Sequence, residues 1–297
     1  MRTTKERARD AILGSFVADS AATGLHWIYD QAEVRRLGGD EPEFQPPENN
    51  QFHSKRNVGQ YTHYGDHALV ALESLVERGG LDSDDYRDRY IARFSDSGYD
   101  GYLDHATKDL LASHKGADDN QAGCFAKLPV MVARYLEDPE FEARIEEAVR
   151  VTHENTQAVR YSVSAACAIQ AAIRGGTAPE AVSSVCARSR AVSALVEKVL
   201  GADADMVAFA LATGQTCPVP NAFPVALHAA LLARDFKDAV RASIWSGGDT
   251  SGRLYVTAAI RGATDGVPED WAARLAGRAE IGGLIERLLE KAALKSV

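Results

Sequence analysis

A surplus of positive charge, a long apolar run and paired cysteines are all missing from this 297-residue chain. Lysine and arginine total 33 against 42 aspartates and glutamates, a formal net charge of −9. That sign excludes nonspecific adhesion to nucleic acid or anionic membrane, which needs a positive field. No apolar stretch approaches the roughly 20 residues that span a bilayer, so no membrane partner is expected. Cys124, Cys167, Cys186 and Cys217 form no CxxC pair. Such wide spacing predicts free thiols in a reducing, cytoplasmic setting. The charged opening MRTTKERARD does not read as a secretory leader. Strand signals are scarce, fixed-period repeats are absent, and no linker stands out beyond the polar, turn-rich stretch 39–60.

What is present is alanine and leucine at helical spacing, with 45% of the chain hydrophobic. We expect one all-α domain over residues 1–297, with ten or more helices packed through small residues. Residues 4–22 read as its first helix, rich in small residues in the second half. Asp19 stands alone there, and exposure is the plain reading of a lone acid. His26, Trp27 and Tyr29 follow. Such rings form a core wedge or stack on a ligand; Trp27 is assigned to the core, and His26 stays open. The segment GQTCPVPNAFP reads as a proline-rich turn and 225–245 as one helix.

The most informative stretch is SGGDTSGR, Ser246 to Arg253, running into a helix. Gly247 and Gly248 allow a tight turn and close approach to a ligand. Asp249, Thr250 and Ser251 suit a helix start, which is an ordinary cap, an anion site, or, with a carboxylate, a cation site. A second oxygen-rich helix start holds Thr62, His63, Tyr64 and Asp66, with Asp66 expected as the cap. Other polar singles are weaker: His153 reads as a site wall or a cap-region histidine. Cys217 reads as a small buried hydrophobe, and Asp118 and Asp119 as a solvated turn.

Six pieces in order, AILGSFVADSAATG, YTHYGDHALVALESL, NQAGCFAKLPVM, VTHENTQAV, GQTCPVPNAFPVALHAAL and SGGDTSGRLYVTAAIRGATDGVPEDW, resemble the ADP-ribosylglycohydrolase (DraG-type) family over nearly the whole chain. The resemblance implies an all-α orthogonal bundle. It implies hydrolysis of the bond between ADP-ribose and an acceptor, with two Mg²⁺ in the cleft. Its partner is an ADP-ribose-like small molecule or an ADP-ribosylated protein. The chain departs from the family pattern where metal is held. Thr-Asp-Asp reads Thr62, His63, Tyr64; Gly-Gly-Asp-Thr-Asp-Thr ends in Asp249, Thr250, Ser251, Gly252; an acid near the first helix reads His26. HWIYD, YGDHALVALESL and GGD followed by an arginine resemble the J-type crystallins and selenoprotein J.

Two Mg²⁺ ions need several carboxylates in near-ideal octahedra. The surviving acids argue against that pair of ions and leave one ion, on Asp249, Thr62 and ligand phosphates, as the alternative. His63 would suit a softer ion. For a hydrolase, Asp249 or Asp66 is the expected base and His26 or His63 the acid. Arg253 and the helix start at Gly247, Gly248 and Ser251 would hold phosphate, with Tyr64, His63 and His153 on the substrate. The alternatives are a nucleotide-binding protein without turnover and a crystallin-like structural protein.

Overall fold

Small side chains let helix backbones approach, and that approach sets the centre of the fold. The computed structural model describes residues 2–185 and 189–292, the side chain of Asn49 excepted. Among them the α-helices are α1 Thr4–Ala22, α2 Gln31–Gly38, α3 His63–Arg78, α4 Ser83–Ser95, α5 His105–Ser113, α6 Leu128–Arg134, α7 Phe141–Arg150 and α8 Thr156–Ile173. They continue with α9 Ala178–Ser183, α10 Arg190–Leu200, α11 Met206–Thr213, α12 Val219–Leu232, α13 Phe236–Trp245, α14 Thr250–Asp265, α15 Glu269–Ala272 and α16 Arg278–Lys291. No strand occurs among the described residues; two isolated bridges join Ala117 to His153 and Gln121 to Pro218. The fold is all-α, as expected. No helix among the described residues is long and apolar enough to cross a membrane.

The α1–α14 pair packs most extensively. At its tightest point a Cβ on Gly262 would lie 2.2 Å from the Asp10 carbonyl oxygen, so only glycine fits. Helix starts are capped by short polar side chains, as the sequence pattern requires: Thr3 forms a capping box with Glu6, and Asn155 caps α8. One hydrophobic cluster runs from Ala8 in α1 to Leu289 in α16.

Five expectations need correction. Thr62, not Asp66, caps α3, because its hydroxyl accepts from Tyr64 N. Asp19 is fully buried rather than exposed. The proline-rich turn is shorter than expected: α12 already starts at Val219 and holds Pro224 internally, where the rigid φ suits a helix but one backbone bond is missing. The expected helix 225–245 breaks after Leu232 because Asp235 caps a new one. Cys124 and Cys217 are free, whereas Cys167 is disulfide-bonded, against the expectation of four thiols. Cys186 lies outside the described residues.

Candidate functional site

Three helices converge on Asp19. Its carboxylate accepts from Thr62 N at 3.2 Å, Thr62 Oγ1 at 3.1 Å and Tyr255 OH at 3.2 Å. Asp19 thereby ties the end of α1 to the start of α3 and to the second turn of α14. Burial pushes its pKa up to about 6, against the hydrogen bonds from Thr62 and Tyr255 and the nearby Ser251 hydroxyl. Thr62 Oγ1 therefore both donates to Asp19 and accepts from Tyr64 N.

The two oxygen-rich helix starts do meet. Tyr64 OH donates to Asp249 Oδ1 at 3.2 Å, and Gly252 N donates to the same oxygen at 3.3 Å. Asp249 is fully buried, and burial raises its pKa against the Arg253 charge. The glycines before it serve the chain itself. Both have φ of +68°, and a Cβ would lie 2.7 Å from Ile28 O at Gly247 and 2.3 Å from Gln215 O at Gly248. The close approach is real and is made to the chain's own backbone at Ile28 and Gln215.

Arg253 likewise faces inward. It is fully buried and donates to Gly247 O at 2.6 Å, Ser243 O at 3.2 Å and Gln215 O at 3.3 Å. It staples the Gly-Gly-Asp turn from behind, so its expected role as a phosphate clamp does not fit. His26 Nδ1 accepts from Ser251 N at 3.2 Å, which places the ring proton on Nε2, 3.7 Å from Asp249 Oδ1. Burial, with His53, His63 and Arg253 nearby, holds His26 well below its ordinary pKa. It is a neutral cap on α14 and not an acid poised near neutrality. Asp66 is turned away: it pairs with Arg56 at 2.5 Å and accepts from Tyr99 OH at 2.8 Å.

Aromatic rings fill the ground between the junctions. His63 lies 4.0 Å from Tyr64 between ring centroids and stacks on His53 at 5.7 Å; Trp27 stacks on His53 at 5.7 Å. His53 comes from the 39–60 loop, which folds inward to wall the site. Burial lowers the pKa of His53 to about 3 and that of His67 to about 4, and holds His63 well below its usual value. His153 is buried below this layer, bonded to Thr152 Oγ1 at 2.8 Å.

Above the layer opens a cavity of about 290 Å³. Trp27, Tyr29, Phe52 and Tyr102 supply its rings; Asp104, His105, Gln121 and Cys217 supply its polar lining. Trp27 is half-buried and not in the core as expected. It holds φ of +62°, rare for a bulky residue, fixed by Trp27 N donating to Gly248 O at 2.8 Å. Cys217 is not the buried small hydrophobe expected: it is half-buried, and its thiol faces the Asp249 carboxylate from the cavity wall. Asp104 caps α5 through Thr107 N at 2.8 Å. Burial alone would raise its carboxyl, but His67, His63 and that cap hold it below the usual range.

The acids do not fit two Mg²⁺ ions. Asp19 is occupied by three donors, Asp66 by Arg56 and Tyr99, and one Asp249 oxygen by Tyr64 and Gly252. Tyr64, where the family resemblance implies a carboxylate, is an uncharged phenol. Among the described residues no group of three or more His, Cys, Asp or Glu is placed to share an ion. The cavity can stack rings and accept hydrogen bonds.

The ADP-ribosylglycohydrolase family model matches residues 1–296. Crystallin J1A of Tripedalia cystophora is 28% identical, over 96% of both chains. Crystallin J1B of the same organism is 27% identical, over 92% of this chain and 94% of its own. A solved structure titled "ADP-ribosylglycohydrolase-related protein complex" superposes with a TM-score of 0.74 at 23% identity, covering 98% of this chain and all of that one, and so shows the shared fold.

Proposed function

The chain belongs to the ADP-ribosylglycohydrolase family, and we propose that it recognises the ring-bearing end of an ADP-ribose-type ligand without hydrolysing it or using Mg²⁺. One observation carries this reading. A ring-lined cavity of about 290 Å³, roomy enough for a ring system, lies beside an Asp249 of which Tyr64 already occupies one oxygen. Glycosidic cleavage needs an activated water, a base and an acid on either side of the scissile bond. Asp249 is sealed from solvent, Asp66 is ion-paired elsewhere and His26 is a neutral helix cap. Lys108, exposed and with Nζ 5.4 Å from the Tyr102 ring centroid, stands beside the cavity within reach of a diphosphate. The ring-filled interior and the crystallin relatives favour a second reading, a structural protein that binds nothing there.

Calorimetry with ADP-ribose separates the two. We expect saturable binding that is indifferent to Mg²⁺, at least tenfold weaker in Trp27→Ala, and no release of ADP-ribose from ADP-ribosylated substrates. Mg²⁺-dependent turnover would overturn the proposal from one side. No binding up to millimolar ligand would overturn it from the other and leave the structural reading.

A further inference from the structure

The cavity's chemistry suits one charge type. Trp27, Phe52 and Tyr102 stand nearly perpendicular to one another, with interplanar angles of 79° to 81° and centroids 4.9, 4.9 and 5.4 Å apart. Three such rings form the corner of a box, and Tyr29, 43% exposed, stands at the rim. Ring faces carry the negative end of the aromatic quadrupole and attract a cation within about 6 Å of the centroid. Tyr102 already draws one, the Lys108 ammonium at 5.4 Å.

The polar lining agrees in sign. Asp104 is the cavity's carboxylate; neither lysine nor arginine lines the cavity, and the buried Lys127, which Asp104's charge reaches, is outside it. Asp104 is 7% exposed; one oxygen caps Thr107 N, and the other stands 3.9 Å from His63 Nε2, beyond hydrogen-bond reach. A buried carboxylate with one uncommitted oxygen beside three ring faces offers a strong field to a weakly hydrated cation and few hydrogen bonds to a neutral ligand. A strongly hydrated inorganic ion would lose more hydration than the rings return.

We propose that this cavity selects an organic cation whose nitrogen is fully substituted, held by Trp27, Phe52 and Tyr102 with Asp104 as counter-charge. Where the ADP-ribose reading above also holds, on which only this clause rests, the occupant is an N-ribosylated pyridinium, with the diphosphate outside near Lys108. No bond is made or broken.

Calorimetry with 1-methylnicotinamide and choline, each against a neutral isostere (3-methylbenzamide and 3,3-dimethylbutanol), tests it. The cations are expected to bind at least tenfold tighter than the isosteres. Asp104→Asn retains a good N-cap and is expected to erase most of that preference while unfolding at the temperature of the wild type. Lys108→Ala, which removes a competing cation from Tyr102, is expected to tighten cation binding. Equal binding of cation and isostere, or a preference unchanged in Asp104→Asn, overturns the proposal. Should Asp104→Asn fail to fold, Tyr102→Leu in its place must weaken the cations more than the isosteres. ADP-ribose titrated into the same preparations keeps the two readings apart: cations without ADP-ribose refute only the proposed function, ADP-ribose without cation preference refutes only this inference.

Discussion

Asp19→Ala is expected to destabilise the protein by about 1–3 kcal/mol, the cost of leaving buried neutral donors without their acceptor. The change leaves Thr62 N, Thr62 Oγ1 and Tyr255 OH without their common acceptor, all in a buried setting. Urea unfolding at pH 7 measures it, and a loss under about 1 kcal/mol would mean Asp19 is not the hub. The pH dependence has a definite sign. The folded-state pKa is raised from 3.8 to about 6, so between those values the native state binds more protons than the unfolded state. Stability from this group therefore falls as pH rises through that window, by about 3 kcal/mol in full. Asp19→Asn, which cannot titrate, is expected to lack that fall. Its stability relative to the wild type should therefore rise between pH 4 and 7.

Lys127→Met is expected to stabilise the protein by about 1–3 kcal/mol at pH 7, because it removes a buried charge whose folded-state pKa is depressed. Lys127 is among the largest fully buried side chains, and its Nζ makes one hydrogen bond, to Cys124 O at 3.3 Å. Burial lowers its pKa to about 8, against Cys124 and Asp104, which favour the charge. The unfolded chain holds this proton up to about pH 10.5, so the wild type pays its full penalty below pH 8 and regains stability as pH rises between those values. Methionine keeps the length and removes the charge. Its advantage should be largest at pH 7 and shrink toward pH 10 in paired thermal unfolding scans; a constant or growing advantage would refute the assignment.

The sequence made the helical frame legible because helices announce themselves locally. Thr4–Ala22 has its capping box, and the run from Asp249 has both its glycines and its cap. The meeting of the two helix starts was legible too, through the order of the matching segments, and the Tyr64–Asp249 contact is its physical form. Partnerships across the chain were not. Nothing near Arg253 in sequence signals that its donors go to Ser243, Gly247 and Gln215, and nothing near Asp66 points to Tyr99. Asp19 was missed as a hub because a lone acid among alanines looks solvent-facing until Thr62 and Tyr255 are brought to it. His53 and Tyr102 were missed because their segments lack periodicity; an inward-folding loop shows only as polar sequence with scattered rings. Cys217 was read by its smallness and not by its neighbour Asp249, 32 residues on in the sequence.

Under the proposed function, rings and the hydrogen bonds to Asp19 and to one oxygen of Asp249 stand in for a metal centre between α3 and α14. Calorimetric titration of Mg²⁺ alone into the purified wild-type protein tests it most directly. No saturable heat is expected at millimolar Mg²⁺. Saturable binding of one or two ions per chain, abolished in Asp249→Asn, would contradict it.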